Sequence, residues 1–267
     1  MVSIFGIVNV TRDSFSDGGR FLAPEAAIAH AEVLRAGGAD VIDLGAESTH
    51  PDAEAVGAEE EIRRLQPVAA ELLSRGRAVS VDTNKPEVMR AMTALGVQWI
   101  NDVHGFRAPD ALAVAAAAPT SVRFVVMFSR RAGPRAERGA LGTEGLLDET
   151  RAFFTERLEA FAAAGISRQR LVFDPGMGFF LGSAAAASLT VLKHLRDLRC
   201  FGVPLLVSVS RKSFVGEVTG CAPADRGPGT LAAELWAVRH GASFVRTHDA
   251  AALRSAIAVE EAILGAP

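Results

Sequence analysis

The sequence has little cysteine, no excess of positive charge and no long apolar run, and each absence excludes a class of protein. Cys200 and Cys221 are too few for a disulfide framework in 267 residues, so a reduced, cytoplasmic setting is expected. A formal net charge of −3, with 22% charged residues, excludes nucleic acid and anionic membranes as expected partners. No run reaches the ~20 apolar residues that span a bilayer, and the N-terminus does not resemble a signal peptide.

The composition fits one sizeable globular core. Hydrophobic residues make up 49% of the chain, and 267 residues is close to the ~250 of a single α/β barrel. No linker, charge block or extended low-complexity tract divides the sequence. We therefore expect a single domain over residues 1–267.

Short apolar runs alternate with longer stretches of helical period along the whole chain. The predicted strands are Ile4–Val8, Val41–Leu44, Ala78–Val81, Trp99–Val103, Arg123–Met127, Leu171–Phe173, Leu205–Val209 and Phe244–Val245. The predicted helices are Glu25–Ala36, Glu59–Ser74, Glu87–Leu95, Asp110–Ala117, Leu146–Ala163, Leu189–Leu198, Thr230–His240 and Ala251–Leu264. About eight such units favour an α/β fold closed into a (β/α)8 TIM barrel. An open doubly wound sheet stays as the alternative, because periodicity does not decide closure.

Polar side chains follow nearly every predicted strand, at the end of the barrel where sites of this fold lie. For Asp82, Asn101 and Asp174, a cap on the following helix is an equally simple interpretation. Lys212, Arg246 and His248 are compatible with solvated loops. Together, these last three would form the cationic rim that a phosphate-bearing substrate requires in a slightly acidic protein.

Seven segments resemble, in order, the signatures of the dihydropteroate synthases. They are Gly6–Gly19, Asp43–Pro51, Val81–Val88, Asn101–Val103, Asp174–Phe179, Ser210–Phe214 and Arg246–Asp249, and they extend over essentially the whole chain. The resemblance implies a pterin-binding (β/α)8 barrel that acts in folate biosynthesis. The implied reaction joins 6-hydroxymethyl-7,8-dihydropterin pyrophosphate to p-aminobenzoate, giving 7,8-dihydropteroate and pyrophosphate, in an enzyme expected to be a homodimer.

The same resemblance implies a role for individual residues. The pterin would be bound by Asp82, Asn101, Met127, Asp174, Phe179 and Lys212. The pyrophosphate would be bound by Asn9, His50, Arg246 and His248, with Mg²⁺ coordinated through Asn9. The p-aminobenzoate would be bound by Phe15, Thr49, Pro51, Phe180, Arg211 and Ser213. The implied catalytic residues are Asp17, Asp82 and Lys212, with the two aspartates stabilising a cationic pterin methylene.

Some positions depart from the usual family pattern. His50 stands where an arginine is usual, Arg12 where a proline is usual, and Phe180 lies in a longer loop after the sixth strand. This loop resembles the sulfonamide-resistance (Sul) branch of the family. A ring at the edge of the p-aminobenzoate site would clash with the bulkier drug and spare the substrate. We therefore expect the enzyme to be insensitive to sulfonamides because of Phe180.

Two other functions remain open at this point. A pterin-binding methyltetrahydrofolate methyltransferase shares the aspartate and asparagine contacts, but would not carry the Asn9–Gly19 or Ser210–Ser213 segments. A non-catalytic pterin-binding barrel is favoured by Arg12 and His50. Pyrophosphate release from the two substrates distinguishes these alternatives from a synthase.

Overall fold

A computed structural model of the protein describes residues 2–10, 24–47, 56–130 and 142–266. Within these residues, eight parallel strands pair in chain order, and the last strand pairs with the first to close a barrel. The strands are β1 (Ser3–Asn9), β2 (Val41–Gly45), β3 (Val79–Asp82), β4 (Trp99–Asp102), β5 (Arg123–Met127), β6 (Leu171–Asp174), β7 (Leu205–Val207) and β8 (Ala242–Thr247). The predicted TIM barrel is confirmed, and the open-sheet alternative is excluded.

Helices connect the strands on the outside of the barrel. They are α1 (Pro24–Ala36), α2 (Ala58–Ser74), α3 (Pro86–Leu95), α4 (Pro109–Ala117), α5 (Leu146–Ala163), α6 (Ala185–Lys193), α7 (Ser213–Thr219), α8 (Gly227–Arg239) and α9 (Ala250–Leu264). None of the helices in the described ranges is long and apolar enough to cross a membrane.

An aromatic cluster fills the barrel toward the amino ends of its strands. Phe5, Trp99 and Phe244 meet edge to face, with ring centroids 5.1 to 5.7 Å apart. The guanidinium of Arg123 lies 4.3 Å from the Trp99 ring centroid. Large side chains exclude water from this end of the barrel, as interior layers do in this fold. Polar chemistry is therefore left to the carboxyl end.

The predictions for the helices differ from the structure at two places in the last third of the chain: one helix has other bounds, and one was missed. The predicted helix Leu189–Leu198 begins earlier, at Ala185, and ends at Lys193, where a 3-10 segment, Leu195–Phe201, takes over. Helix α7 was not predicted. Its seven residues include Gly216, Val215 and Val218, so it is too short and too poor in strong helix formers to show a helical period.

Candidate active site at the carboxyl end of the barrel

Four of the predicted pterin-binding residues lie at the ends of neighbouring strands, or one residue before the end, at one rim of the barrel. Asp82 is paired in register with Asn101, and Met127 with Asp174. Asn101 and Asp174 are each 3% exposed. The Asn101 Oδ1 atom is buried and has no hydrogen-bond partner among the described residues. A buried amide oxygen of this kind is an acceptor suited to an N–H group of a ligand.

The alternative that Asp82, Asn101 and Asp174 cap helices is wrong. Helices α3, α4 and α6 begin at other residues, and none of their N-cap side chains bonds the helix. Asp174 Oδ1 accepts the N–H of Gly176 at 2.8 Å, within the turn after β6. Asp82 Oδ2 accepts a hydrogen bond from Arg246. The carboxylates at this rim therefore serve the barrel mouth rather than the helices.

Lys212 and Asp174 form an electrostatic pair across the mouth. Burial raises the pKa of Asp174 to about 6, and the Lys212 ammonium opposes that rise. Burial lowers the pKa of Lys212 to about 8, and Asp174 opposes that fall. Lys212 Nζ also donates to the Met177 carbonyl at 3.3 Å. Between these two pKa values, the mouth therefore holds a carboxylate acceptor and an ammonium donor that interact electrostatically.

Arg246 is held by two carboxylates, and one of them was not among the predicted site residues. Its Nε donates to Asp43 Oδ2, and its Nη2 donates to Asp82 Oδ2 at 2.8 Å. Burial alone would lower the pKa of Arg246, but Asp43 and Asp82 raise it above its usual value. Burial raises the pKa of Asp82 to about 7, against the effect of Arg246. A charge inside the apolar run of β2 was the signal for Asp43, since a fully buried carboxylate requires a partner.

His248 is not a cation at this site. Burial, together with the nearby positive charges of Arg246 and Arg211, lowers the pKa of His248 to about 3. Its Nδ1 lies 2.9 Å from Ser210 Oγ. The prediction of a cationic rim is therefore wrong for His248, whose imidazole is neutral near pH 7 and offers hydrogen-bonding atoms rather than a positive charge.

Phe180 lies inside the mouth, in the loop after β6. It belongs to a small apolar cluster with Val103 and Met127, against which Phe179 packs. The Phe180 ring centroid is 5.2 Å from Lys212 Nζ, and its side chain is 6% exposed. The Phe180 carbonyl accepts the N–H of Arg130 at 3.1 Å. Backbone bonding and burial therefore fix this ring beside the lysine.

The remaining predicted residues are more open or lie outside the described residues. Ser213 begins α7 and is half-buried, while Arg211 and Asn9 are exposed. The structure thus brings twelve of the predicted residues to one end of the barrel: Asn9, Asp82, Asn101, Met127, Asp174, Phe179, Phe180, Arg211, Lys212, Ser213, Arg246 and His248. The other five predicted residues, Phe15, Asp17, Thr49, His50 and Pro51, fall outside the described ranges.

Comparison with known proteins places the chain in a family. The pterin binding enzyme family matches residues 5–248. Dihydropteroate synthase type-2 of Escherichia coli is 49% identical over 261 residues, covering 97% of this chain and 95% of that protein. The chain belongs to the dihydropteroate synthase family. The predicted resemblance to this family, with its sulfonamide-resistance branch, is confirmed by these similarities.

Solved structures of dihydropteroate synthases have the same fold. The Xanthomonas albilineans dihydropteroate synthase with 4-aminobenzoic acid aligns with a TM-score of 0.90 at 43% identity, covering 100% of this chain and 94% of that chain. The same organism's enzyme in complex with 7,8-dihydropteroate aligns with a TM-score of 0.87 at 41% identity, covering 100% and 95%. The barrel and its length are therefore those of the family.

The resemblance to the dihydropteroate synthases implied a Mg²⁺ ion coordinated through Asn9 and phosphate oxygens. Within the described ranges, no group of three or more His, Cys, Asp or Glu residues is arranged to hold one. Asn9 ends β1 and offers a single exposed amide oxygen next to Gly45. One neutral oxygen suits a Mg²⁺ ion that takes most of its ligands from substrate phosphates and water. The residues present therefore fit Mg²⁺ as a substrate-borne ion and do not fit a dedicated metal cage.

Proposed function

We propose that the protein catalyses the condensation of 6-hydroxymethyl-7,8-dihydropterin pyrophosphate with p-aminobenzoate, which gives 7,8-dihydropteroate and pyrophosphate. The observation that carries this proposal is the charged pair of buried Asp174 and half-buried Lys212 at the same barrel mouth as Arg246. The related Xanthomonas albilineans enzyme has been solved with 4-aminobenzoic acid and with 7,8-dihydropteroate, and these molecules fit the proposed reaction.

The pterin ring is recognised by complementary hydrogen-bonding groups. Asp174 accepts hydrogen bonds from the amino and ring N–H groups of the pterin, and Lys212 donates to the carbonyl oxygen of the pterin. Asn101 supplies an oxygen that has no partner within the described structure, and Asp82 binds another edge of the ring. A pterin left without any one of these partners would bury an unpaired polar group, which is costly. Met127 and Phe179 provide apolar contact with the ring.

The chemical step breaks the bond between the pterin methylene carbon and the pyrophosphate oxygen. The oxygen leaves with the electron pair, and Arg246, His248, Asn9 and His50 bind the departing pyrophosphate. The p-aminobenzoate nitrogen then bonds to the cationic methylene carbon and loses a proton. Asp82 and Asp17 stabilise that cation by their negative charge. Mg²⁺, bound through Asn9, would supply further charge neutralisation at the pyrophosphate.

The p-aminobenzoate subsite explains the expected insensitivity to sulfonamides. Phe15, Thr49, Pro51, Arg211 and Ser213 surround the substrate, and Phe180 limits the room beyond its carboxylate. The support comes from burial: a ring that is 6% exposed and held through its carbonyl does not swing aside easily for a larger drug. Steric exclusion then acts on the drug alone.

The protein is proposed to act as a homodimer in the cytoplasm, with the chain forming one domain. Helices α6, α7 and α8 border an apolar groove of about 570 Å³. Leu189, Val218 and Trp236 line it and are 45 to 61% exposed, although all three are large and hydrophobic. Contiguous exposed apolar surface of this kind is typical of an interface between protein chains. Cys200 and Cys221 are free thiols, as the cytoplasm favours.

One assay tests the reaction and both rival functions. Purified protein is mixed with the pterin pyrophosphate, p-aminobenzoate and Mg²⁺, and released pyrophosphate and dihydropteroate are measured, with Asp174→Asn as the control. Stoichiometric formation of both products by the wild type supports the synthase. Pterin binding without turnover would favour the non-catalytic barrel. Methyl transfer from methyltetrahydrofolate would favour the methyltransferase.

A further inference from the structure

Arg211, the residue before Lys212, has an unusual backbone conformation. Its φ angle is +57°, and within the described residues the only other non-glycine residue with positive φ is Phe106. An L-residue with a Cβ atom adopts this left-handed region at a cost, and it stays there only when its surroundings hold it. The cause of this conformation therefore has to be found among the neighbours of Arg211.

Both backbone groups of Arg211 are bonded to the first turn of α8. The Arg211 N–H donates to Thr230 Oγ1 at 3.0 Å, and the Arg211 carbonyl accepts from Arg226 Nη1 at 2.9 Å. Thr230 is 5% exposed, and its own N–H donates to the Arg226 carbonyl at 2.8 Å. The donor and the acceptor therefore come from a single rigid turn and act on opposite sides of one residue.

The position of the Arg226 guanidinium is itself restricted by its neighbours. Its Nε donates to the Cys221 carbonyl at 3.2 Å, and its guanidinium lies directly against the backbone of α7 at Gly216. A Cβ atom on residue 216 would stand 2.3 Å from Arg226 Nη2, which is far closer than atoms pack. The glycine in α7 therefore provides the room in which this guanidinium reaches Arg211.

The conformation of Arg211 decides where Lys212 points. The peptide groups on either side of Lys212 are also bonded, since its N–H donates to the Val209 carbonyl and its carbonyl accepts from Val215. From this position, the Lys212 side chain reaches the Met177 carbonyl and the field of Asp174. A return of Arg211 to an ordinary φ angle would rotate the chain entering Lys212 and move the ammonium away from the mouth.

We infer that Arg226 and Thr230 are positioning residues that hold Arg211 in the left-handed conformation and thereby direct Lys212 toward the pterin. This inference rests on the proposed function, because it assigns the effect to pterin binding. Neither residue is among those assigned to a substrate. They act through the backbone of Arg211 alone.

The test measures the dissociation constant of the pterin pyrophosphate without p-aminobenzoate, by calorimetry, on full-length protein. Thr230→Val removes the acceptor while keeping the shape of the side chain, and we expect about tenfold weaker pterin binding, as for the loss of one hydrogen bond. Thr230→Ser keeps the hydroxyl and should bind like the wild type. Thr93→Val is the matched control, since Thr93 is a buried helical threonine whose hydroxyl bonds only its own helix.

A double-mutant cycle with Arg211→Gly isolates the backbone effect. Glycine adopts positive φ without cost, so Thr230→Val should weaken pterin binding less than about threefold in the Arg211→Gly background. Arg211→Gly alone is expected to raise KM for p-aminobenzoate, which is why pterin affinity is the readout. An equal loss in both backgrounds, or an unchanged affinity of a folded Thr230→Val protein, would overturn the inference.

Arg226→Met gives a second route if Thr230→Val does not fold, as judged by thermal melting. It should also weaken pterin binding about tenfold, because it removes the donor to the Arg211 carbonyl. Unchanged pterin affinity in Arg226→Met would contradict the inference. Failure of the wild type to bind the pterin pyrophosphate would instead contradict the proposed function, so the two failures are distinguishable.

Discussion

Arg246 Nη2 and Asp82 Oδ2 lie 2.8 Å apart, so the guanidinium proposed for the pyrophosphate is already paired with a carboxylate. The second carboxylate, that of Asp43, accepts a hydrogen bond from the Nε of the same arginine. Three charged groups are therefore coupled at the place where the leaving group is to be bound. This coupling makes Asp43 important although it was not assigned to a substrate.

The first prediction concerns Asp43→Asn. The change removes the charge that faces Arg246 Nε, and we expect the loss of about 2 kcal/mol for a hydrogen bond between charged groups, or roughly thirtyfold in kcat/KM for the pterin pyrophosphate. Asp40→Asn is the control, because Asp40 pairs with Arg254 far from the mouth. Steady-state kinetics decide the matter, and a similar loss in both variants would refute a specific role for Asp43.

The second prediction concerns pH. The pKa of Asp174 is raised by burial to about 6, so the acceptor form is gained as pH rises through that value. The pKa of Lys212 is lowered by burial to about 8, so the donor form is lost above it. We expect kcat/KM for the pterin substrate, a ratio that reports the free enzyme, to be bell-shaped. Asp174 and Asp82, whose pKa burial raises to about 7, together set the acid limb, and Lys212 sets the alkaline limb.

Lys212→Arg provides the check on the alkaline limb. Arginine keeps its charge throughout this range, so the decline above about pH 8 should disappear in the variant, even if its activity is lower. A decline at the same pH in both proteins would assign the alkaline limb to another group.

The third prediction concerns sulfonamides. Removal of Phe180 together with Leu181 should lower the inhibition constant of a sulfonamide at least tenfold, because the ring that excludes the drug is gone. The KM for p-aminobenzoate should change much less. Phe201→Leu serves as the control, since this ring packs against Phe154 and Phe173 on the outside of the barrel. Equal inhibition of wild type and deletion variant would reject the role of Phe180.

The fourth prediction concerns the groove beside α6, α7 and α8. Val218→Arg places a charge in the apolar groove, and if the proposed dimer forms there, sedimentation velocity should show the variant as a monomer. Val259→Arg on α9 is a matched control, because both valines are 61% exposed. Dissociation by both changes, or by neither, would argue against this groove as the interface.

The barrel could be predicted from the sequence because, in most elements, the period of the apolar residues matches the face that the structure buries. β5 and α5 have the predicted bounds, and the ends of the other strands lie within two residues of the prediction. Helix α7 was missed because seven residues with an internal glycine carry no period. Gly216 leaves room for the guanidinium of Arg226, and this contact is visible only in the tertiary structure.

The sequence was enough to predict where the candidate residues lie, but not which of them are charged. Polar residues at strand ends necessarily meet at one end of a parallel barrel, so their residue types and order were enough. Which of them are charged depends on burial and on partners far apart in sequence, such as Asp43 and Arg246, 203 residues apart. His248 lost its expected charge for the same reason.

The most direct measurement of the central claim is the pterin affinity of a double-mutant cycle between Asp174 and Lys212. Asp174→Asn and Lys212→Met should each weaken binding of the pterin pyrophosphate at least tenfold, and the double variant should lose less than the two losses combined, because both groups bind one ring. Near-wild-type affinity in either single variant would contradict the account.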